Sequence, residues 1–321
     1  MQHFAPAKKK IVVIGGGTGV FTVLTGLRKY PAELTAIVTM ADDGGSTGML
    51  REDFGILPPG DVRRALIALS KTEDKILAEL FTYRFKEGAG LYGHSFGNLM
   101  LAALERIVGD FEGGIAATGK ILGVEGGVIP VTKTFTKLFA ELENGEVVRG
   151  ESNIDMPSHD GRLKIKRIWL KPKAALNPSA KKAILDADLV VLGPGDLYTS
   201  VLPNVLVKGM PEAFKKTKAK KVYITNLMTK FGETNDFVAS DFLKTIEIYL
   251  GKKVLDYVVA NNQKPVPVRL RPYVKEKASF VELDSDNFPK KPLLVSAPLA
   301  RERGFLRHDP KRLARILWGL I

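Results

Sequence analysis

Residues 41–48 read Ala-Asp-Asp-Gly-Gly-Ser-Thr-Gly. The apolar run before them, LTAIVTM at 34–40, has the composition of a buried strand, so both carboxylates fall at a strand end. Adjacent acids repel each other, and a plain turn uses only one of them. The bland alternative is a solvated turn. The chemical one is a ligand loop of Asp42, Asp43, Gly44, Gly45 and Ser46, in which an acid accepts ribose or sugar hydroxyls, holds Mg²⁺ or acts as a base.

Further clusters have the same position after an apolar run. IVVIGGGTGVFTVL sets Gly15, Gly16, Gly17 and Gly19 between a strand and a helix pattern. Glycines let the backbone approach a phosphate, the helix start offers free N–H groups, and Thr18 adds a hydroxyl. The dinucleotide fingerprint fails, because Val20 occupies its third glycine position, and the Gly-Lys-Ser/Thr end of a P-loop is missing. YGHSFGNL places His94, Ser95 and Asn98 at a helix start. A lone histidine there is more often structural, and with no second His or Cys at ligand spacing no zinc site is expected. LVVLGPGDLYTS offers Gly193, Gly195, Tyr198, Thr199 and Ser200 as a second anion loop, and ITNLMTKFGET offers Asn226, Thr229 and Gly232. In PPGDVRRALIALS, Asp61 is expected as the N-cap of a helix beginning at Val62. In RGFLRHDP, Arg307 and His308 precede Asp309, a candidate cap with Pro310 at the first helical position.

The elements that must position these loops alternate. Strands are predicted at 10–15, 34–40, 187–193, 221–226 and 255–261, with SFVELD and PLLVSAP as later units. Helical spacing marks 62–70, 75–84, 96–108, 115–122 and the C-terminal HDPKRLARILWGL. Between them, TKLFAELENGEVVRGESNI alternates around Asn144-Gly145, a hairpin signal, and RLKIKRIWLKP follows as another strand. The fold expected is a Rossmann-like, doubly wound, mainly parallel α/β sheet with a β-meander inserted at 132–172. It makes a single domain over 1–321, with ligands beyond the carboxyl ends of the strands. Trp169 and Trp318 fall where core packing accounts for them.

Composition narrows the partners. The formal net charge is +13 over 321 residues, which would suit an anionic ligand or nucleic acid. The lysines are scattered, however, and no basic stretch is interleaved with aromatics, so a phosphorylated ligand is expected and nucleic acid is not. No apolar run reaches membrane-spanning length. The N-terminus lacks the apolar core of a secretory signal, and cysteine is absent, as suits a cytoplasmic protein without disulfides.

Seven motifs in order, GGGTG, DDGGSTGxLR, PPGDVRRALxAL, GHSFGNL, GPGDLYTSVLPN, NLMTxFGET and RHDP, resemble the gluconeogenesis-factor (YvcK) family, a sister of the 2-phospho-L-lactate transferases (CofD), from about residue 9 to the C-terminus. The resemblance implies a cytoplasmic binder of nucleotide sugars such as UDP-N-acetylglucosamine, linked to carbon metabolism, envelope synthesis and cell shape. Protein partners in envelope synthesis and self-association are compatible with it. It also places Tyr273, in RPYVKEKASFVELD, and Arg307 at the nucleoside or sugar end. The sister activity would make the chain a phospholactyl transferase using a deazaflavin acceptor and Mg²⁺, with Asp42 and Asp43 holding the metal. A nicotinamide oxidoreductase is disfavoured by Val20. Three positions depart from the family pattern. Asp196 replaces a serine, Lys230 a glutamine, and Pro310 stands where some members carry threonine. A carboxylate at 196 suits a phosphate loop only if it faces away or meets a cation.

Overall fold

The computed structural model describes residues 8–71 and 75–321; the N-terminal stretch read above as no secretory signal lies largely outside them. Strands β1 (Lys9–Gly15), β2 (Ala32–Val38) and β3 (Gly127–Pro130) come first. An inserted set follows, β4 (Lys137–Leu142), β5 (Val147–Arg149) and β6 (Ile165–Lys171). The chain then supplies β7 (Leu189–Leu192), β8 (Lys220–Ile224), β9 (Tyr257–Asn261) and β10 (Leu293–Ala297). Seven of them form one sheet in the order β10-β9-β8-β7-β1-β2-β3, parallel at every pairing. Covered on both faces by helices, its central strands need no alternation. Leu189, Val190, Val191 and Leu192 are all fully buried.

The strand order fixes where a ligand can enter. From β1 the chain moves outward to β2 and β3, then returns to β7 on the other side of β1 and proceeds to β8. The loops after β1 and β7 therefore diverge from adjacent strand ends, which leaves a crevice at this switch point. The helix after β1, Gly17–Leu27, packs on the last helix, Pro310–Trp318. A side chain at Gly26 would put its Cβ 2.1 Å from the Pro310 carbonyl oxygen. Asp309 caps that last helix by accepting the Lys311 and Arg312 N–H groups, both at 2.9 Å, and Trp318 packs on Tyr30 with ring centroids 5.1 Å apart.

The insertion is a three-stranded antiparallel sheet ordered β5-β4-β6, so β6 returns beside β4 on the side away from β5. Its tight turn uses Gly145 at φ +90°, a conformation that favours glycine. Right after β5 comes the short helix Glu151–Asp155, which leans over the crevice. SFVELD is not a strand of the main sheet. It lies along the loop after β8 through Thr229 N–H to Ser279 O at 2.7 Å and Val281 N–H to Leu227 O at 3.0 Å. The start of the helix Ala239–Leu250 holds its other end, with the Ala239 N–H donating to Glu282 O at 2.9 Å, so the segment is tied to a loop and a helix instead of extending a ladder. Among the described residues no helix is long and apolar enough to cross a membrane.

Candidate functional site

A cavity of about 960 Å³ occupies the crevice at the carboxyl ends of the strands. Its floor is the turn after β1. Gly16 precedes the helix in extended conformation, and Gly17 stands at φ +62°. At Gly19 a Cβ would lie 1.8 Å from the Pro194 carbonyl oxygen, so the two glycine loops touch only because this residue has no side chain. Gly195 and Ser200 face the same space, and a Cβ on Gly17 would lie 3.7 Å from both Ser200 Oγ and Arg64 Nη1.

Asp61 is not the N-cap of its helix. That helix runs Pro59–Leu69 with Pro58 before it, because the Pro-Pro pair presets the first turn three residues earlier than the hydrophobic spacing suggests. Asp61 points instead at the glycine turn, where its Oδ1 accepts the Gly17 N–H at 2.8 Å. Its neighbour across the floor is Asp42. A Cβ on Gly60 would come within 2.8 Å of Asp42 Oδ2, and one on Gly16 within 2.4 Å of Asp61 Oδ2. Burial, reinforced by Asp42, pushes the Asp61 carboxyl up to about 6. Burial likewise raises Asp42. Glu151, brought over by the insertion, is pushed up to about 9 by burial and then by Asp42, Asp155 and Asp43.

On the opposite wall Asp155, Asp196 and Glu233 place carboxylate oxygens within 4.8 Å of one another. Glu233 is held by the Tyr198 N–H and the Thr199 hydroxyl, each at 2.9 Å, and burial followed by Asp196 and Asp155 pushes it up to about 8. Lys230 lies among these acids with Nζ 3.0 Å from Asp155 Oδ1. Burial works against its charge, but Asp196 and Asp155 more than offset this and raise its pKa. The residues at positions 196 and 230 that depart from the family pattern thus belong to one charge cluster, and the unusual carboxylate does meet a cation.

Most of the residues expected from sequence line this cavity: Gly16, Gly17, Thr18 and Gly19; Asp42, Gly44, Gly45 and Ser46; Asn98; Gly195, Thr199 and Ser200; Asn226 and Thr229; Tyr273 and Arg307. Four do not. Asp43 turns away and accepts the Ser152 N–H at 2.9 Å, pinning the insertion to the acidic loop. His94 is buried behind Ser46, with Nδ1 3.1 Å from Ser46 Oγ. Gly193 shapes its turn at φ +75° without facing the space. The Tyr198 ring is 6% exposed and packs in the core. Tyr273 spends its hydroxyl on the Leu306 N–H at 2.7 Å, which ties down the loop carrying exposed Arg307.

Sequence reasoning missed Glu151, Asp155 and Glu233, and it misassigned Asp61. Glu151 and Asp155 sit in an insertion read only for its strand alternation. Glu233 belongs to NLMTKFGET, where the motif itself was the available signal. Arg63, Arg64, Phe305 and buried His308 also line the cavity. The imidazole of His308 is driven down to about 4 by burial.

A doubly wound parallel sheet with a glycine turn at its switch point defines a Rossmann-like α/β protein. Residues 11–297 match the family model described as 2-phospho-L-lactate transferase CofD, and the chain belongs to that family, on its gluconeogenesis-factor branch. The gluconeogenesis factor of Halalkalibacterium halodurans is 47% identical over 279 residues, 86% of this chain and 85% of that protein. That of Bacillus subtilis is 41% identical over 317 residues, 98% of each. A crystal structure of a UPF0052 family member from Bacillus halodurans superposes with a TM-score of 0.92 at 43% identity, covering 97% of this chain and 99% of that one.

Proposed function

We propose that the cavity binds a nucleotide sugar of the UDP-N-acetylglucosamine kind. In this reading the chain acts in the cytoplasm through binding, as a regulatory protein connecting carbon metabolism to cell-envelope synthesis and cell shape. The observation that carries the reading is the polarity of the crevice. Helix-start amides, Ser200 and Arg64 surround a phosphate-sized space at one point, and carboxylates able to accept hydroxyls flank it. A diphosphate suits the first; the hydroxyls of a sugar or ribose suit the second. The volume of about 960 Å³ lies at the upper end of the range usual for small-molecule sites. Calorimetric titration with UDP-N-acetylglucosamine, UDP and N-acetylglucosamine tests the reading: the intact nucleotide sugar should bind tightest, and Gly17→Ala should lose it.

A second reading, phospholactyl transfer, is favoured by the pairing of Asp42 with Asp61 beside the glycine turn. Two buried carboxylates, both raised by burial and Asp61 further by Asp42, fit a divalent cation, and Mg²⁺ there would neutralise charge on phosphate oxygens. The chain's own part would be to align a nucleotide donor on Gly16–Gly19 and to hold its acceptor against Phe305 and Tyr273. Enzyme-dependent product from a nucleotide-activated phospholactate and a deazaflavin would establish this reading over the first.

A further inference from the structure

Among the described residues, one buried cation of the cavity wall, Arg63, makes no ion pair. It is 8% exposed, and its Nε is buried without a hydrogen-bond partner. Arg64, one residue on, reaches Asp61 at 3.9 Å and stands beside Gly17. Consecutive helical residues point about 100° apart, so Arg63 faces another part of the cavity. Its stem lies across the first turn of the helix Phe96–Val108; a Cβ on Gly97 would meet Arg63 Cδ at 2.7 Å. Only glycine there lets the guanidinium reach the start of that helix.

The surroundings are those of an anion. The helix is thirteen residues long, and its positive end favours negative charge. Asn98, 2% exposed, donates through Nδ2 to Ser46 Oγ at 3.2 Å and keeps a buried Oδ1 without a partner. Arg84, bonded to the Gly93 carbonyl, lines the same wall. Burial, then Arg64 and Arg84, lowers Arg63 to about 10, although Asp61 and Asp42 act the other way. A desolvated cation whose acidic neighbours Asp61 and Asp42 form no ion pair with it is costly to keep, and a guanidinium fork matches the oxygens of a phosphate.

We infer that Arg63, with Arg84 and the start of the helix Phe96–Val108, forms a second oxyanion subsite, separate from the glycine turn, that takes the phosphate group of a small phosphate ester. The ligand at the glycine turn need not be identified for this to hold. The second N–H of Asn98 Nδ2 and the arginine forks supply donors; Asn98 Oδ1 accepts from a protonated phosphate oxygen or an adjacent hydroxyl of the ester.

The test is calorimetric titration with inorganic phosphate of the wild type, Arg63→Met, Arg63→Lys and Gly17→Ala, paired with melting temperatures without phosphate. Arg63→Met should weaken phosphate binding at least tenfold in protein whose glycine turn is filled with UDP, while Arg63→Lys keeps most of it and Gly17→Ala retains the part that depends on Arg63. Without phosphate, Arg63→Met should melt above the wild type, because the desolvated cation is gone; a merely structural arginine would lower the melting temperature instead. Arg63→Gln replaces Arg63→Met if the latter does not fold. Unchanged phosphate affinity in Arg63→Met overturns the inference. So does complete loss of phosphate binding in Gly17→Ala or in wild type saturated with UDP, since either result assigns the phosphate to the glycine turn.

Discussion

The Asp61 carboxylate receives the Gly17 N–H at 2.8 Å, so an internal anion already sits at the start of the helix that would cradle a phosphate. With its pKa pushed up to about 6 by burial and by Asp42, Asp61 is largely ionised at neutral pH and repels a diphosphate. Protonation, or a cation shared with Asp42, relieves the conflict. Without divalent cation, affinity for a UDP-sugar should therefore fall as pH rises from 5.5 to 7.5, and Mg²⁺ should recover it at the higher pH. Titrations at both pH values with and without Mg²⁺ check this; an affinity that rises with pH would contradict it.

The glycines of the first turn should separate binding from stability. Gly17→Ala puts a methyl in ordinary contact, 3.7 Å from Ser200 Oγ and Arg64 Nη1, at a backbone conformation costing about 1–2 kcal/mol. It should fold and lose ligand. Gly19→Ala drives a methyl into the Pro194 carbonyl and forces the two loops apart, so its loss of stability should be larger, about 3 kcal/mol or more, on the scale of severe overpacking. Chemical denaturation of both variants distinguishes the two effects.

Glu151 makes stability pH-dependent. Its folded pKa of about 9 lies above its ordinary value of 4.5. The folded state thus holds a proton that the unfolded chain releases, and the protein loses stability as pH rises between these values. Glu151→Gln removes that loss. It should melt above wild type at pH 8 and match it at pH 5; a gap that is constant with pH would remove Glu151 as the cause.

Lys230 and Asp196 should behave as a coupled pair. Lys230→Gln strips the cation from Asp155, Asp196 and Glu233 and should cost about 1–3 kcal/mol. Asp196→Ser added to it should return most of that loss, giving a coupling of about 1 kcal/mol or more in a double-mutant cycle. Simple additivity would mean that the two departures from the family pattern are independent.

How far the sequence foretold this site depends on how local each signal is. Gly16–Gly19 and the 41–48 loop were legible because strand, glycines and helix adjoin in the chain. Asp309 as a cap was legible for the same reason. Asp61 looked equally local, yet its partner Gly17 lies 44 residues away, and capping statistics cannot see across that separation. Glu151 reaches the cavity only because Asp43 pins the insertion through Ser152; alternation in β4 and β5 reports the small sheet but not its docking. The order of β7 beside β1, which makes the crevice, follows from the doubly wound pattern once the insertion is set aside.

The most direct measurement is calorimetric titration of UDP-N-acetylglucosamine into wild type and Gly17→Ala, at pH 6 with Mg²⁺. The account predicts saturable one-to-one binding to the wild type, stronger than for UDP or N-acetylglucosamine alone, and a loss of at least tenfold in the variant. Equal affinity in a folded Gly17→Ala protein, or no binding of any nucleotide to the wild type, would contradict it.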